Sequence, residues 1–302
     1  MASRTISDAG GNWNATTSWT EGAVPVAGDD VVATATSGNL VVNVATANLN
    51  SFDLTGYVGT LSGGSAINVR PASGTTACLL AGTITWTGYL NLGPADGATV
   101  NLTCGGKTLG HAQIMNIPGG TVSQQDAMVI TYDWSPSGGT WLTNGYSVSA
   151  SEVYIPDGVP TLVWNITNST ITLSKTSDAF TIVTGFSGTL TTTGSTIVMT
   201  GVGGRFKGGG KTYNIVTFSA NNQLIQDSNT FGTLNVNQAG LATGLRFTAG
   251  TTQTVTTFAT NGYASNLAKI LSDTAGTAFT LTTGSAQISE DYMSIQDSTV
   301  TQ

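Results

Sequence analysis

Short runs of β-branched and aromatic residues alternate with polar ones along most of the chain. Each run stops at Gly, Ser, Asn or Asp. Residues 181–183 give way to Gly185, 189–190 to Gly194 and 196–199 to Gly201; residues 231–236 and 251–258 repeat the rhythm. A period of two over a few residues, bounded by turn formers, marks half-buried strands. Many such strands at near-regular spacing predict an all-β solenoid with coils of roughly 20–25 residues. The expected fold is a right-handed parallel β-helix, in one piece or as two stacked lobes. Its first strands are expected at residues 31–33 and 40–44. Residues 264–271 place Leu267, Ile270 and Leu271 on one helical face, but the segment is too short and too poorly capped to predict a helix.

The stretch from Gly11 to Val31 holds Trp13, Trp19, Gly22, Pro25 and the Gly28-Asp29-Asp30 punctuation. A solenoid cannot leave the core of its first coil open to water. Trp13 and Trp19 are therefore expected to close it, within an entry segment over 1–45; stacking on a carbohydrate is the alternative. Two solenoid lobes are expected to follow, over 46–150 and 151–302. Gly56, Tyr57, Gly59, Thr60, Leu61, Ser65 and Ile67 recur as Gly185, Phe186, Gly188, Thr189, Leu190, Ser195 and Ile197. A second echo, Gly106-Lys107-Thr108 against Gly210-Lys211-Thr212, has a different offset. Residues 119–146 break the pattern with Tyr132, Trp134, Trp141 and a Pro136-Ser137-Gly138-Gly139 turn. They read as a longer excursion, as a seam between lobes near 150, or as aromatics covering the core.

Composition narrows the picture. Only 8% of the 302 residues are charged, and the net charge is −7. That is unlike long helices and ordinary disorder, which need charge. The polar surface falls to Thr, Ser, Asn and Gln. The negative balance argues against nucleic acid or an anionic membrane as partner; Arg205, Lys207 and Lys211 in a glycine run read as a solvated loop. No stretch has the ~18 apolar residues of a membrane span. The start, Met1 to Asp8, has no apolar leader pattern, so the expectation is a protein assembled in a cytoplasm. Cys78 and Cys104 read as free buried thiols rather than as a disulfide framework.

Catalytic chemistry is hard to assemble. His111 is the only histidine, with no nucleophile motif around it. The run Gly204 to Thr212 lacks the phosphate-loop spacing, because Arg205 stands where the first glycine is required and a strand follows. The close acid groupings, Asp29 with Asp30, Asp126 with Asp133 and Glu290 with Asp291, sit beside turn formers. Carboxylates from different coils can still meet on the surface of a stack. Thr85/Thr87, Thr254/Thr256 and Thr280/Thr282 would make a flat hydroxyl array of the ice-binding kind only if repeated at one place on successive coils. Their irregular spacing reads as ordinary strand threonine. No catalytic, cofactor-binding or metal-ligating residue is assigned.

Four segments carry a resemblance: Gly208 to Phe218, Asn229 to Val236, Gly250 to Phe258 and Glu290 to Ser298. They are similar to parallel β-helix structural proteins of tailed bacteriophages, and the Gly11 to Val31 stretch is similar to the entry module of β-helix adhesins. The likeness covers residues 11–69 and about 180–298. It implies a non-enzymatic virion surface protein, first a capsid decoration protein and alternatively a tail fibre, spike or secreted adhesin that binds surface polysaccharide. A polysaccharide-degrading enzyme is the remoter alternative. It further implies a homotrimer whose partners are the major capsid protein or other virion proteins.

Overall fold

The computed structural model describes residues 1–114, 119–158, 161–238, 240–283 and 291–301. The chain is all-β, with parallel strands stacked as a β-solenoid of about 12 turns. Among the described residues the helical content is the 3-10 turn Thr16–Ser18. Two compact units are present. The first comprises Met1–Val148, Val159–Asn165 and Ser187–Thr189; the second comprises Ser149–Gly158, Ile166–Phe186 and Leu190–Gln302.

The first unit has three walls per turn. Ser3–Thr5, Asp30–Val32, Ser51–Asp53, Thr75–Leu79, Thr99–Thr103, Thr121–Gln124, Thr140–Leu142 and Val163–Asn165 stack as one wall. Gly11–Asn12, Leu40–Val42, Thr60–Gly63 and Thr83–Ile84 form the second, which Thr108–Leu109 and Met128–Ile130 take up as the first two strands of a ten-stranded sheet. Asn48–Leu49, Ile67–Val69, Tyr89–Leu92, His111–Ile114 and Asp133–Pro136 form the third. Alternation sets what points inward: in Thr99–Thr103, Val100 and Leu102 are buried while Thr99, Asn101 and Thr103 face out. Buried Val31, Phe52, Cys78 and Leu102 lie in register on successive turns, although the chain between them varies in length. The corners absorb that variation.

All six tryptophans lie in this unit and all are buried. Trp13 and Trp19 meet edge to face at 4.9 Å, and the Trp19 indole N–H donates to the Trp13 carbonyl at 2.9 Å. Trp134 packs edge-on against Trp141 at 5.3 Å and Trp164 at 5.1 Å. Residues 119–146 are therefore no excursion: they supply strands on all three walls, and their tryptophans fill the core.

The strands expected at 31–33 and 40–44 are present as Asp30–Val32 and Leu40–Val42, but the opening strand is an earlier one, Ser3–Thr5, paired with Asp30–Val32. A short Ser-Arg-Thr run carries little apolar signal; its partner and Asp29 fix it instead. Asp29 is 3% exposed and accepts from Arg4 Nε at 3.0 Å and from the Ala2 and Val26 N–H groups. The motif that recurs at Gly56 and Gly185 marks a corner in each place. Gly56 and Gly185 both take positive φ and Tyr57 and Phe186 are both buried, but Ile67 falls on the third wall and Ile197 pairs with Ile171 in a sheet of another kind.

The second unit is laid out differently. Glu152–Ile155, Asp178–Ile182, Arg205–Lys207, Leu224–Gln226, Leu245–Phe247, Ala268–Ser272 and Met293–Gln296 make one wall. Thr170–Leu173, Thr196–Met199, Thr212–Phe218, Thr230–Val236, Thr252–Thr260, Phe279–Thr282 and Ser298–Thr301 make another. From Thr212 onward the described strands come two to a turn. Three of the long ones run 7, 7 and 9 residues, through what is a corner in the first unit. Gly232 makes the bend passable: a Cβ there would lie 2.8 Å from the Asn214 carbonyl. Residues 264–271 enter the strand Ala268–Ser272, with no helix.

Eight of the nine phenylalanines lie in this unit, Phe52 being the exception. Phe180 stacks on Phe206 at 4.6 Å and Phe247 on Phe279 at 4.5 Å. A polar line runs beside them. Buried Gln238 donates to Gln223 at 3.0 Å, and buried Gln253 accepts from the Asn229 N–H at 3.1 Å while donating to the Asp227 carbonyl at 2.7 Å.

Candidate functional site

Among the described residues, neither Asp29 with Asp30 nor Asp126 with Asp133 forms a pair poised for catalysis. Asp29 and Asp30 sit on opposite faces of the chain: Asp29 holds the N-terminal strand, and Asp30 accepts from Asn50 and Ser51. Asp126 accepts from the Cys104 and Gly105 N–H groups at 2.7 and 2.6 Å, which fixes a corner. Asp133 pairs with His111 Nδ1. Glu290 lies outside the described residues.

His111 is a rung in a surface ladder. The parallel register sets Tyr89 beside it, and its ring stacks at 4.1 Å on Tyr89 and at 4.7 Å on Tyr132. Both tyrosines keep about half their surface in water. Asp133 orients the imidazole from one edge. Cys78 and Cys104 are free and buried. Burial, with Asp53 nearby, pushes the Cys78 thiol up to about 12; burial, with Asp126 and Cys78, pushes Cys104 up as well. Neither is a nucleophile at neutral pH.

The residues that sequence reasoning missed lie in the second unit. Glu152, Tyr154, Lys175, Asp178, Lys207 and Asp227 line a groove of about 480 Å³. They come from four successive turns, so no window along the chain holds them. Lys175 pairs with Glu152, and Lys207 Nζ lies 2.8 Å from Asp178 Oδ2. Arg205 Nη1 lies 3.3 Å from the other oxygen of Asp178. Asp227, at a positive φ of 63°, accepts from the Gly209 N–H at 3.0 Å. The glycine run exists to let this corner close: a Cβ on Gly208 would meet Asn229 Oδ1 at 2.1 Å. The basic trio is thus no solvated loop. Arg205 and Lys207 bracket a strand, and Lys211 donates to the Phe186 carbonyl at 2.6 Å and lies over its ring.

Every carboxylate in the groove is held by a cation or a backbone N–H. A glycosidase instead needs two acids free to flank a bond, one to give a proton and one to attack or activate water. What the groove offers is a row of paired donors and acceptors beside the half-exposed Tyr154 ring. Among the described residues no group of three or more His, Cys, Asp or Glu is placed to hold a metal, and no helix is long and apolar enough to cross a membrane. No protein-family model, curated protein or solved structure matches this chain.

Proposed function

We propose that the chain is a non-enzymatic structural protein of a tailed-phage virion surface, a capsid decoration protein that sits as a homotrimer on the major capsid protein. The observation that carries the non-enzymatic reading is the engagement of the acids: Glu152 with Lys175, Asp178 with Lys207 and Arg205, Asp133 with His111, Asp29 with Arg4. They serve as fasteners between turns. The phage assignment rests on the likeness at residues 11–69 and 180–298. Assembly is supported by the first wall of the first unit. There Thr75, Thr99, Thr121 and Thr140 form one outward column, and Ala77, Asn101, Ser123 and Leu142 the next, with no charge in either. Such a wall costs little to desolvate against a like surface. Light scattering tests the trimer: a threefold mass at micromolar concentration is expected, and a strictly monomeric mass contradicts it.

The groove favours a second reading, a fibre or adhesin that binds a surface polysaccharide beside Tyr154. Under either reading, incubation with host polysaccharide releases no new reducing ends. Turnover that disappears in Glu152→Gln or Asp178→Asn would establish an enzyme instead.

A further inference from the structure

Of the threonine pairs named from the sequence, Thr280/Thr282 belongs to a set that is regular in the sheet. Thr252 pairs with Thr280 and Thr280 with Thr299; Thr254 pairs with Thr282 and Thr282 with Thr301. The second column continues back through Thr230 to Thr212. The partner of Thr254 in the lattice is thus Thr252 and not Thr256. The step from Thr252 to Thr280 is 28 residues (280 − 252) and that to Thr299 is 19 (299 − 280). The connections between strands absorb the difference, so sequence spacing conceals a Thr-x-Thr unit repeated on three successive turns.

Three properties make this wall more than ordinary strand surface. Its side chains point outward, because Gln253, Val255, Phe279 and Leu281 alternate with them and are buried. Its strands, from Thr212–Phe218 to Ser298–Thr301, contain no Asp, Glu, Lys or Arg, so no ion holds a liquid hydration shell there. And its hydroxyls are fixed: threonine is stiff at χ1, the backbone ladder sets each Cα, and the Thr282 and Thr301 hydroxyls stand 2.9 Å apart. The backbone positions that carry these threonines repeat at about 6.6 Å along the strand and about 4.8 Å between turns. A rigid, uncharged grid on that scale offers water oxygens a patterned set of anchors, with methyl groups between them that order the first water layer.

We infer that this wall binds the surface of ice, using the two threonine columns as its contact lattice. The corresponding column in the first unit, Thr75 to Thr140, is single and flanked by Ala, Asn, Ser and Leu, so it lacks the second dimension. The test is partition of the purified full chain into slowly growing ice, together with inhibition of ice recrystallisation. Wild-type protein enters the ice and arrests grain growth. Thr280→Lys, which puts a hydrated ammonium at the centre, falls to the level of a non-binding control protein; Thr83→Lys, on an exposed strand position of the first unit, keeps full activity. Thr254→Ser keeps the hydroxyl but frees its rotamer, and it weakens the effect while the melting curve stays that of the parent. Exclusion of the wild type from ice, or equal loss in Thr83→Lys and Thr280→Lys, overturns the inference. Neither result bears on capsid binding.

Discussion

The first unit holds all six tryptophans and one phenylalanine; the second holds eight phenylalanines and no tryptophan. Both stack parallel strands in register, so the backbone ladder does not explain the difference. The number of walls does. Where three short strands meet at corners, the interior has room for indoles set edge to face, as at Trp134, Trp141 and Trp164. Where a strand of 7 or 9 residues faces a short one, flatter rings suffice, stacked turn on turn as Phe247 on Phe279. The polar filler is shared: Gln124 in the first unit donates to the Asp126 and Ser147 carbonyls, and Gln253 in the second bonds the Asn229 N–H and the Asp227 carbonyl. A solenoid can therefore change its cross-section while keeping its outward pattern, provided the aromatic fillers change with it.

The largest test of this contrast is a pair of truncations. Trp141→Ala is expected to cost about 3–5 kcal/mol in denaturant melts, because the cavity would sit among two other indoles. Phe247→Ala is expected to cost about 3 kcal/mol and to leave the tryptophan emission of the folded protein unchanged, since no tryptophan lies in its unit. A shifted emission maximum would break the division. Next in size is Gln253→Leu, which leaves the Asn229 N–H and the Asp227 carbonyl without their partner and is expected to cost about 1–3 kcal/mol.

Asp29 sharpens the first unit's side of the comparison. Burial pushes its carboxyl up, but the Arg4 hydrogen bond and the Val26 and Ala2 N–H groups outweigh it and hold the carboxyl below the ordinary value. A depressed carboxyl stabilises the fold fully above the ordinary carboxylate pKa and ceases to as pH falls through the lowered value. Asp29→Asn should thus cost about 2 kcal/mol near neutrality and flatten the acid limb of a stability-against-pH curve; an unchanged limb would assign acid sensitivity elsewhere. The smallest effect belongs to the second unit's surface. Lys175→Ala breaks a partly exposed pair with Glu152 and is expected to shift stability by about 0.5 kcal/mol, fading with added salt.

The strand rhythm was legible because the inward residues recur at period two; residues 119–146 became legible only in register, where Val122, Trp141 and Trp164 share one column. The buried thiols, Cys78 and Cys104, followed from composition. Ser3–Thr5 was invisible because a polar strand depends on a partner 27 positions away (30 − 3). The groove and the threonine lattice were hidden for a shared reason. Turns of unequal length bring Glu152, Asp178 and Asp227 together, and Thr252, Thr280 and Thr299, while scattering each set along the chain.

The proposal that this solenoid is an assembly piece is tested most directly by electron cryo-microscopy of particles built with and without it. The account expects threefold clusters of added density on the capsid shell, absent from particles that lack the chain. Density confined to the tail tip, or particles indistinguishable in the two preparations, would contradict it.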